Sequence, residues 1–284
     1  LKIAVIGIGQ LGSDILKVLE ESYSVVPLTH SEIEVSEYTS CGILEDINPD
    51  VVVNTAAYHK TDECEDNPEK TFSVNAIGAR NVALVCEKIG AVNIYISTDY
   101  VFDGEKGEPY TESDMPNPIN VYGVSKYAGE IFTKNISGKF YILRVSSLYG
   151  KAGARGKGGN FVETMIQKAK EGVELKVVDD IVMSPTYTKD VAEAIKEILR
   201  KNLEYGIYHI TNDGCCSWYE FARTIFDLAG IDANLKPITS SEYPTKAKRP
   251  KNSSLNIGKI KKSGVEMRHW KDALGSYLKE KGHI

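Results

Sequence analysis

Lys2-Ile3-Ala4-Val5-Ile6-Gly7-Ile8-Gly9-Gln10-Leu11-Gly12 is the stretch that decides the fold. Residues 2–6 read as a buried strand. Residues 10–20 read as a helix. Between them lies G-x-G-x-x-G, a pattern that is weak alone and informative when it joins a strand to a helix. The first glycine allows a tight turn, the second lets the backbone approach a pyrophosphate, and the third lets helix and strand pack closely. The helix start adds amides and partial positive charge. Gly7, Gly9, Gln10, Leu11 and Gly12 are therefore candidate dinucleotide contacts.

The same alternation continues outward. Residues 24–28, 51–54, 92–97 and 141–145 read as strands, and 68–88 and 121–133 as helices. Such alternation predicts a parallel sheet covered on both faces. The expected fold is α/β: a Rossmann-type doubly wound parallel sheet with a smaller mixed α/β substrate-binding lobe. Residues 1–150 are the expected dinucleotide-binding domain, joined by about 180–204, where 190–200 forms an amphipathic helix. Residues 151–284 mainly form the second lobe. There, 151–159 reads as a mobile loop, 161–171 as a helix, 175–178 and 205–210 as strands, and 271–280 as the last helix. Ser217-Trp218-Tyr219-Glu220 fits a capping box opening a helix to Ala229.

Composition narrows the function. The 284 residues are 42% hydrophobic and 26% charged, with a formal net charge of -5. That balance disfavours nucleic-acid binding through phosphates. No apolar run is long enough to span a bilayer, and no signal-peptide layout is evident, so a cytoplasmic location is expected. The five cysteines lack metal-site spacing and read as reduced thiols; no metal is expected.

Tyr122-Gly123-Val124-Ser125-Lys126 places Tyr and Lys at i and i+4, on one helix face. A free phenol has a pKa of about 10, and a nearby ammonium lowers it. Tyr122 is thus a candidate acid/base and Lys126 its electrostatic partner. Lys126 also suits a nicotinamide ribose. Upstream, Ile94–Asp99 is an apolar strand ending in Ser97, Thr98 and Asp99. Ser97 or Thr98 can hydrogen-bond a substrate carbonyl. The end of the second strand, Leu28-Thr29-His30-Ser31, has no carboxylate before Glu32. This points to NADP(H) as preferred cofactor, with NAD(H) possible. Thr29 and His30 are candidate contacts; His30 also reads as an ordinary surface residue.

Together these residues resemble the extended short-chain dehydrogenase/reductase superfamily, and more closely the dTDP-4-dehydrorhamnose reductase family. The resemblance spans nearly the whole chain. It is carried by Gly7–Gly12, Asn54-Thr-Ala-Ala-Tyr58, Val74-Asn-Ala76, Ser97-Thr-Asp-Tyr-Val-Phe-Asp-Gly104, Tyr122–Lys126, Gly159-Asn-Phe161, Ser184-Pro-Thr186, Ser217–Phe221 and Arg249-Pro250. It implies reduction of the 4-keto group of dTDP-4-dehydro-L-rhamnose by NAD(P)H. It further implies catalysis by Tyr122, Lys126 and Thr98. Ala56, Ala57, Tyr58 and Asn75 would serve the cofactor, and Asp99, Ser147, Asn160 and Arg249 the nucleotide-sugar substrate.

Two departures stand out. Ser147 occupies a place where family members carry a sugar-stacking Trp. Asp14 and Lys189 stand near places where some members hold magnesium through glutamates, so monomer and homodimer both remain open. Related folds imply other activities. A dehydratase would carry Glu after Asp99, where this chain has Tyr100; a 4-epimerase would retain its cofactor. The regulatory subunit of methionine adenosyltransferase, a non-enzymatic relative, is the contrasting case.

Overall fold

The computed structural model describes residues 1–153 and 159–284. Its centre is a six-stranded sheet: β1 (Lys2–Ile6), β2 (Ser24–Leu28), β3 (Val51–Asn54), β4 (Val92–Thr98), β5 (Phe140–Val145) and β6 (Gly206–His209). The order is β6-β5-β4-β3-β1-β2, and every neighbouring pair is parallel. The chain winds outward from β1 to β2, then returns to β3 on the other flank of β1. A crevice opens at that reversal, at the carboxyl ends of the strands.

The longer helices are α1 (Gln10–Leu19), α2 (Gly78–Ile89), α3 (Val121–Ile136), α4 (Phe161–Lys170), α5 (Thr188–Lys201), α6 (Trp218–Ala229) and α7 (Trp270–Glu280). Side chains alternate across the sheet, as the two-residue period requires. Ile3 and Val5 pack with Leu11 and Ile15 of α1 and Val191, Ile195 and Ile198 of α5. Ala4, Ile6 and Val52 pack with Val82, Val85 and Cys86 of α2 on the other face. Burial on both faces explains why these strands are continuous apolar runs.

The later half of the chain contributes to two cores. β6 extends the central sheet, and Ile257, Ile260, Val265 and Met267 join the α1/α5 layer. A second cluster gathers Tyr149, Val162, Met165, Leu175, Phe221, Ile225, Trp270 and Tyr277. Short strand pairs frame it: Leu175–Val178 with Leu235–Ile238, Val182–Met183 with Cys216–Ser217, and Leu148–Tyr149 with Thr186–Tyr187. The loop reading of 151–159 falls partly on 154–158, outside the described residues.

Two local readings change. The helix expected over 68–88 is Pro68–Phe72, a π turn at Ser73–Ile77, and α2. A π turn inserts an extra residue and often marks a functional site; here it carries Asn75. The capping box at 217–220 is only half formed. Ser217 Oγ accepts from the Glu220 amide at 3.0 Å, but the Glu220 carboxylate faces Lys271 at 3.8 Å.

Gly129 sets how closely α3 approaches the sheet. A Cβ there would lie 2.3 Å from Tyr95 Oη and 2.6 Å from the Asn75 carbonyl. Tyr95 Oη donates to that carbonyl at 3.1 Å. Gly129→Ala should therefore lower stability by about 1–3 kcal/mol through overpacking. Denaturant unfolding checks this, and an unchanged midpoint would show that α3 has room to move.

Candidate active site

The glycine loop divides its work as the sequence implies. Gly7 has φ +87°, and a Cβ on it would lie 2.9 Å from Thr55 Oγ1. A Cβ on Gly12 would lie 2.1 Å from the Gly7 carbonyl oxygen. A Cβ on Gly9 would meet nothing within 4 Å, so the second glycine faces open space. Helix α1 begins there with no side-chain cap and no acid in its first turn. Its first amides and positive end are left for an anion. These residues fit the pyrophosphate of a dinucleotide. Gln10 donates from Nε2 to the Leu148 carbonyl at 3.1 Å, while its Oε1 is buried without a hydrogen-bond partner.

The crevice is a cleft of ≈ 1070 Å³. Typical ligand pockets hold about 300–1,000 Å³, so this one lies at the upper end of that range. Gly7, Gly9, Gln10, Leu11 and Gly12 line one end, with Thr29 and His30 beyond β2 and Ala56, Ala57 and Tyr58 after β3. Thr98 and Asp99 after β4, Tyr122 and Lys126 on α3, and Ser147, Asn160 and Arg249 line the rest. Thr29 is fixed by its amide and hydroxyl, which both donate to Glu32 Oε2. The His30 side chain is 82% exposed and lies 3.2 Å from Glu34. It can therefore turn toward a ligand at the rim.

Asn75 is outside the cleft lining. Its Oδ1 accepts from the Tyr58 amide at 2.8 Å. Its Nδ2 donates to the Tyr58 carbonyl at 3.0 Å and to Ser125 Oγ at 2.9 Å. It braces the Tyr58 peptide and ties it to α3.

At the centre, the Tyr122 phenol and Thr98 line the same part of the cleft, with Thr98 close enough to pull the phenol's ionisation down. Thr98 Oγ1 accepts from the Tyr100 amide at 3.2 Å and donates to Asp99 Oδ1 at 3.1 Å. Asp99 Oδ2 accepts from Ser146 Oγ at 2.9 Å and Ser253 Oγ at 2.5 Å. Asp99 thus steadies Thr98, and its own oxygens are already engaged. Burial pushes the Asp99 carboxyl up to about 6, against the pull of its three hydroxyl donors. Of the two hydroxyls considered for the carbonyl, only Thr98 faces Tyr122. Ser97 donates away from the cleft, to Glu130 Oε1 at 2.5 Å.

The expected electrostatics of the Tyr/Lys pair need correction. The Tyr122 phenol is held above its ordinary value, not below it. Burial is the main cause; Thr98 pulls it down and Asp99 pushes it up. Lys126 Nζ donates to the Ile96 carbonyl at 2.6 Å and sits 4.1 Å from the centre of the Tyr95 ring. Burial pushes the ammonium down to about 7, and Glu130 pulls it back up. The ammonium is engaged below the phenol, and burial opposes charge on both groups.

The remaining substrate candidates differ in availability. Ser147 lines the cleft with φ +43°, a left-handed backbone uncommon outside glycine. Asn160 caps α4: its Oδ1 accepts from the Glu163 amide, and its Nδ2 donates to the Gly150 carbonyl and Tyr277 Oη. Arg249 pairs with Asp62 at 2.9 Å through Nη2, while its Nη1 is buried without a hydrogen-bond partner. The sequence reading did not single out Glu34, His59 or Lys70 at the cofactor end. Nor did it place Phe161, Trp218 and Phe221 in an aromatic wall. The Phe161 and Trp218 rings lie 4.7 Å apart. Trp218 beside the capping Ser217 and Phe161 in Gly159-Asn160-Phe161 were visible; their shared cleft is tertiary. No cluster of His, Cys, Asp and Glu among the described residues is placed to hold a metal.

The family model described as the RmlD substrate binding domain matches residues 1–282. The chain belongs to this family. It is 40% identical to the spore coat polysaccharide biosynthesis protein SpsK of Bacillus subtilis, over 96% of this chain and 95% of that one. It is 38% identical to dTDP-4-dehydrorhamnose reductase of Aggregatibacter actinomycetemcomitans, over 94% of each. The structure of dTDP-4-dehydrorhamnose reductase from Bacillus anthracis in complex with NADP superimposes with a TM-score of 0.93. That chain is 39% identical, with 98% of this chain and 99% of it covered. The parallel-sheet fold and the resemblance read from the sequence are borne out. Among the described residues, no helix is long and apolar enough to cross a membrane.

In this family member, Asp99 makes stability depend on pH. Its carboxyl ionises at about 6 in the fold and at 3.8 when unperturbed. The unfolded chain therefore loses this proton first. The contribution of the neutral group is present below 3.8 and is lost as pH rises through about 6. Asp99→Asn removes that loss. Its melting temperature relative to the parent should rise between about pH 4 and about pH 7. Parallel thermal melts check this; a constant difference would show that Asp99 does not titrate in that window.

Proposed function

We propose that this protein reduces the 4-keto group of dTDP-4-dehydro-L-rhamnose, giving dTDP-L-rhamnose, with NADPH preferred and NADH accepted. The observation that carries the reading is that Tyr122, Lys126 and Thr98 at the carboxyl end of β4 line the same glycine-cradled cleft, in a chain from this family. When bound, the dihydronicotinamide supplies hydride to carbon 4 of the sugar.

The residues then act as follows. Tyr122 is half-buried and holds its proton, the state required of an acid that neutralises a developing alkoxide. Thr98, turning its hydroxyl proton from Asp99 to the same oxygen, aligns that oxygen with the phenol. Asp99, anchored by Ser146 and Ser253, fixes Thr98. Lys126 offsets the phenolate left after proton transfer. Arg249 offers its unpartnered Nη1 to the anionic part of the nucleotide sugar. At the other end, the Lys70 ammonium and the His30 ring nitrogens lie at the rim for a 2′-phosphate, consistent with NADP in the similar Bacillus anthracis enzyme.

Mixing the protein with NADPH and dTDP-4-dehydrorhamnose should oxidise the reduced cofactor, followed by its absorbance. Failure of pure, folded protein to do so would reject the reading. Tyr122→Phe should lower kcat by about 10²–10⁴-fold, the range for a lost general acid, with NADPH affinity retained. Near-normal turnover in that variant would remove Tyr122 from the acid role.

A further inference from the structure

Below the cleft lies a buried charged cluster that the proposed chemistry does not use. Glu130 follows Lys126 by one helical turn on α3. Lys126 and Glu130 are each 2% exposed, and Arg144 on β5 is 1% exposed. The Arg144 guanidinium grips both Glu130 oxygens, Nε at 2.9 Å and Nη2 at 2.7 Å. Ser97 Oγ donates to the same carboxylate. On the far side, His209 Nε2 lies 3.5 Å from Arg144 Nη1, and His209 Nδ1 meets the Asn256 carbonyl at 3.2 Å. Those partners assign the neutral imidazole with its proton on Nδ1. Burial, followed by Arg144, pushes His209 down to about 3, so it adds no charge.

We infer that Glu130 is a positioning residue: its buried carboxylate, shared by Arg144 and Ser97, keeps the Lys126 ammonium charged one turn from Tyr122. A dry pocket alone would strip that proton, since one carbonyl and one ring replace the water an ammonium normally holds. Arg144 cannot give up its proton, so without Glu130 two uncompensated cations would share the core, and lysine would yield first. The elements packed around α3 carry Tyr95 on β4, Asp99 and Tyr100 just beyond it, Tyr141 and Arg144 on β5, Asp62, Glu63, Cys64, Glu65 and Asp66 on Thr61–Asp66, Glu69 and Lys70 on Pro68–Phe72, and Arg80, Cys86, Glu87 and Lys88 on α2. Among all these charges, Glu130 is the one that acts appreciably on Lys126. Ser97 also neighbours Thr98, so the carboxylate anchors the strand end that presents the catalytic hydroxyl.

The inference rests on the catalytic roles proposed for Tyr122 and Lys126, so the test reads lysine ionisation separately from turnover. Protein carrying ¹³Cε-lysine is titrated by NMR, with Lys126 assigned by Lys126→Arg, and the pH profile of NADPH oxidation is measured in parallel. Glu130→Gln keeps the shape and an acceptor for Ser97. It should lower the Lys126 midpoint by on the order of one pH unit, and the alkaline loss of activity should move with it. Arg144→Met leaves Glu130 uncompensated and should move both in the opposite direction. Glu130→Gln/Arg144→Met removes both charges, leaves no uncompensated ion, and should fall between Glu130→Gln and the parent. It serves as the folded variant if either single change unfolds the protein. A stationary Lys126 midpoint in Glu130→Gln or in the double variant overturns the inference, even if activity falls at every pH. A shifted midpoint in a protein that never oxidises NADPH supports Glu130 and rejects the proposed function instead.

Discussion

The Glu130–Arg144 ion pair joins the three elements on which the site depends. Glu130 belongs to α3, Arg144 to β5, and Ser97, bonded to the same carboxylate, to β4. Ser97 is register partner to Arg144, and Arg144 to His209 on β6. A polar row therefore crosses three strands of the sheet, on the face covered by α3. Such a pair is not cheap: removing one partner of a buried ion pair typically costs about 3–5 kcal/mol, because the other charge is left stranded. Its value is positional. It sets the height of Tyr122 and Lys126 above the strand end that carries Thr98.

The other half of the cleft depends on close backbone approach. Gly12 lets α1 meet the turn at Gly7, and Gly7 takes a left-handed conformation beside Thr55. Thr55 Oγ1 donates back to the Ile6 and Gly7 carbonyls, at 2.9 and 2.5 Å, so β3 closes the loop from the side. The uncapped end of α1 is then fixed in space, facing the same cleft as the Tyr122–Thr98 pair. One sheet thus places a positive helix end and an acid on opposite walls of one crevice, as the switch-point rule anticipates.

Much of this was legible in the sequence because the relevant constraints are local. A buried parallel strand must be apolar on both faces, so β1, β3 and β4 stood out as short apolar runs. The glycine loop announced itself through its place between strand and helix, and Tyr122 and Lys126 through helical spacing. What escaped the reading is what chain distance hides. Asn75 was grouped with cofactor contacts, yet the π turn directs it behind Tyr58. Ser97 and Thr98 are neighbours in sequence, and only the pleat decides that one bonds Glu130 while the other faces Tyr122. Arg144 was a visible signal: a lone charge within Phe140–Val145 demands a buried partner. Glu130, one turn beyond Lys126, was the acid on the right helix face to provide it.

Desolvation is the common theme of the ionisable groups around the proposed chemistry. Tyr122 is held neutral, Asp99 ionises only at about 6, and Lys126 at about 7. Each is disfavoured as an ion by the same dry surroundings, which is the reverse of a site that stores a phenolate at rest. A neutral phenol suits reduction, because the proton needed by the incoming alkoxide is already in place. The difficult moment comes after transfer, when the phenolate must survive in that dry cleft. Low local polarity now works in its favour, since it strengthens attraction to a charged Lys126. The pocket that opposes each charge singly therefore favours the two charges together, and the transferred proton is what creates the pair.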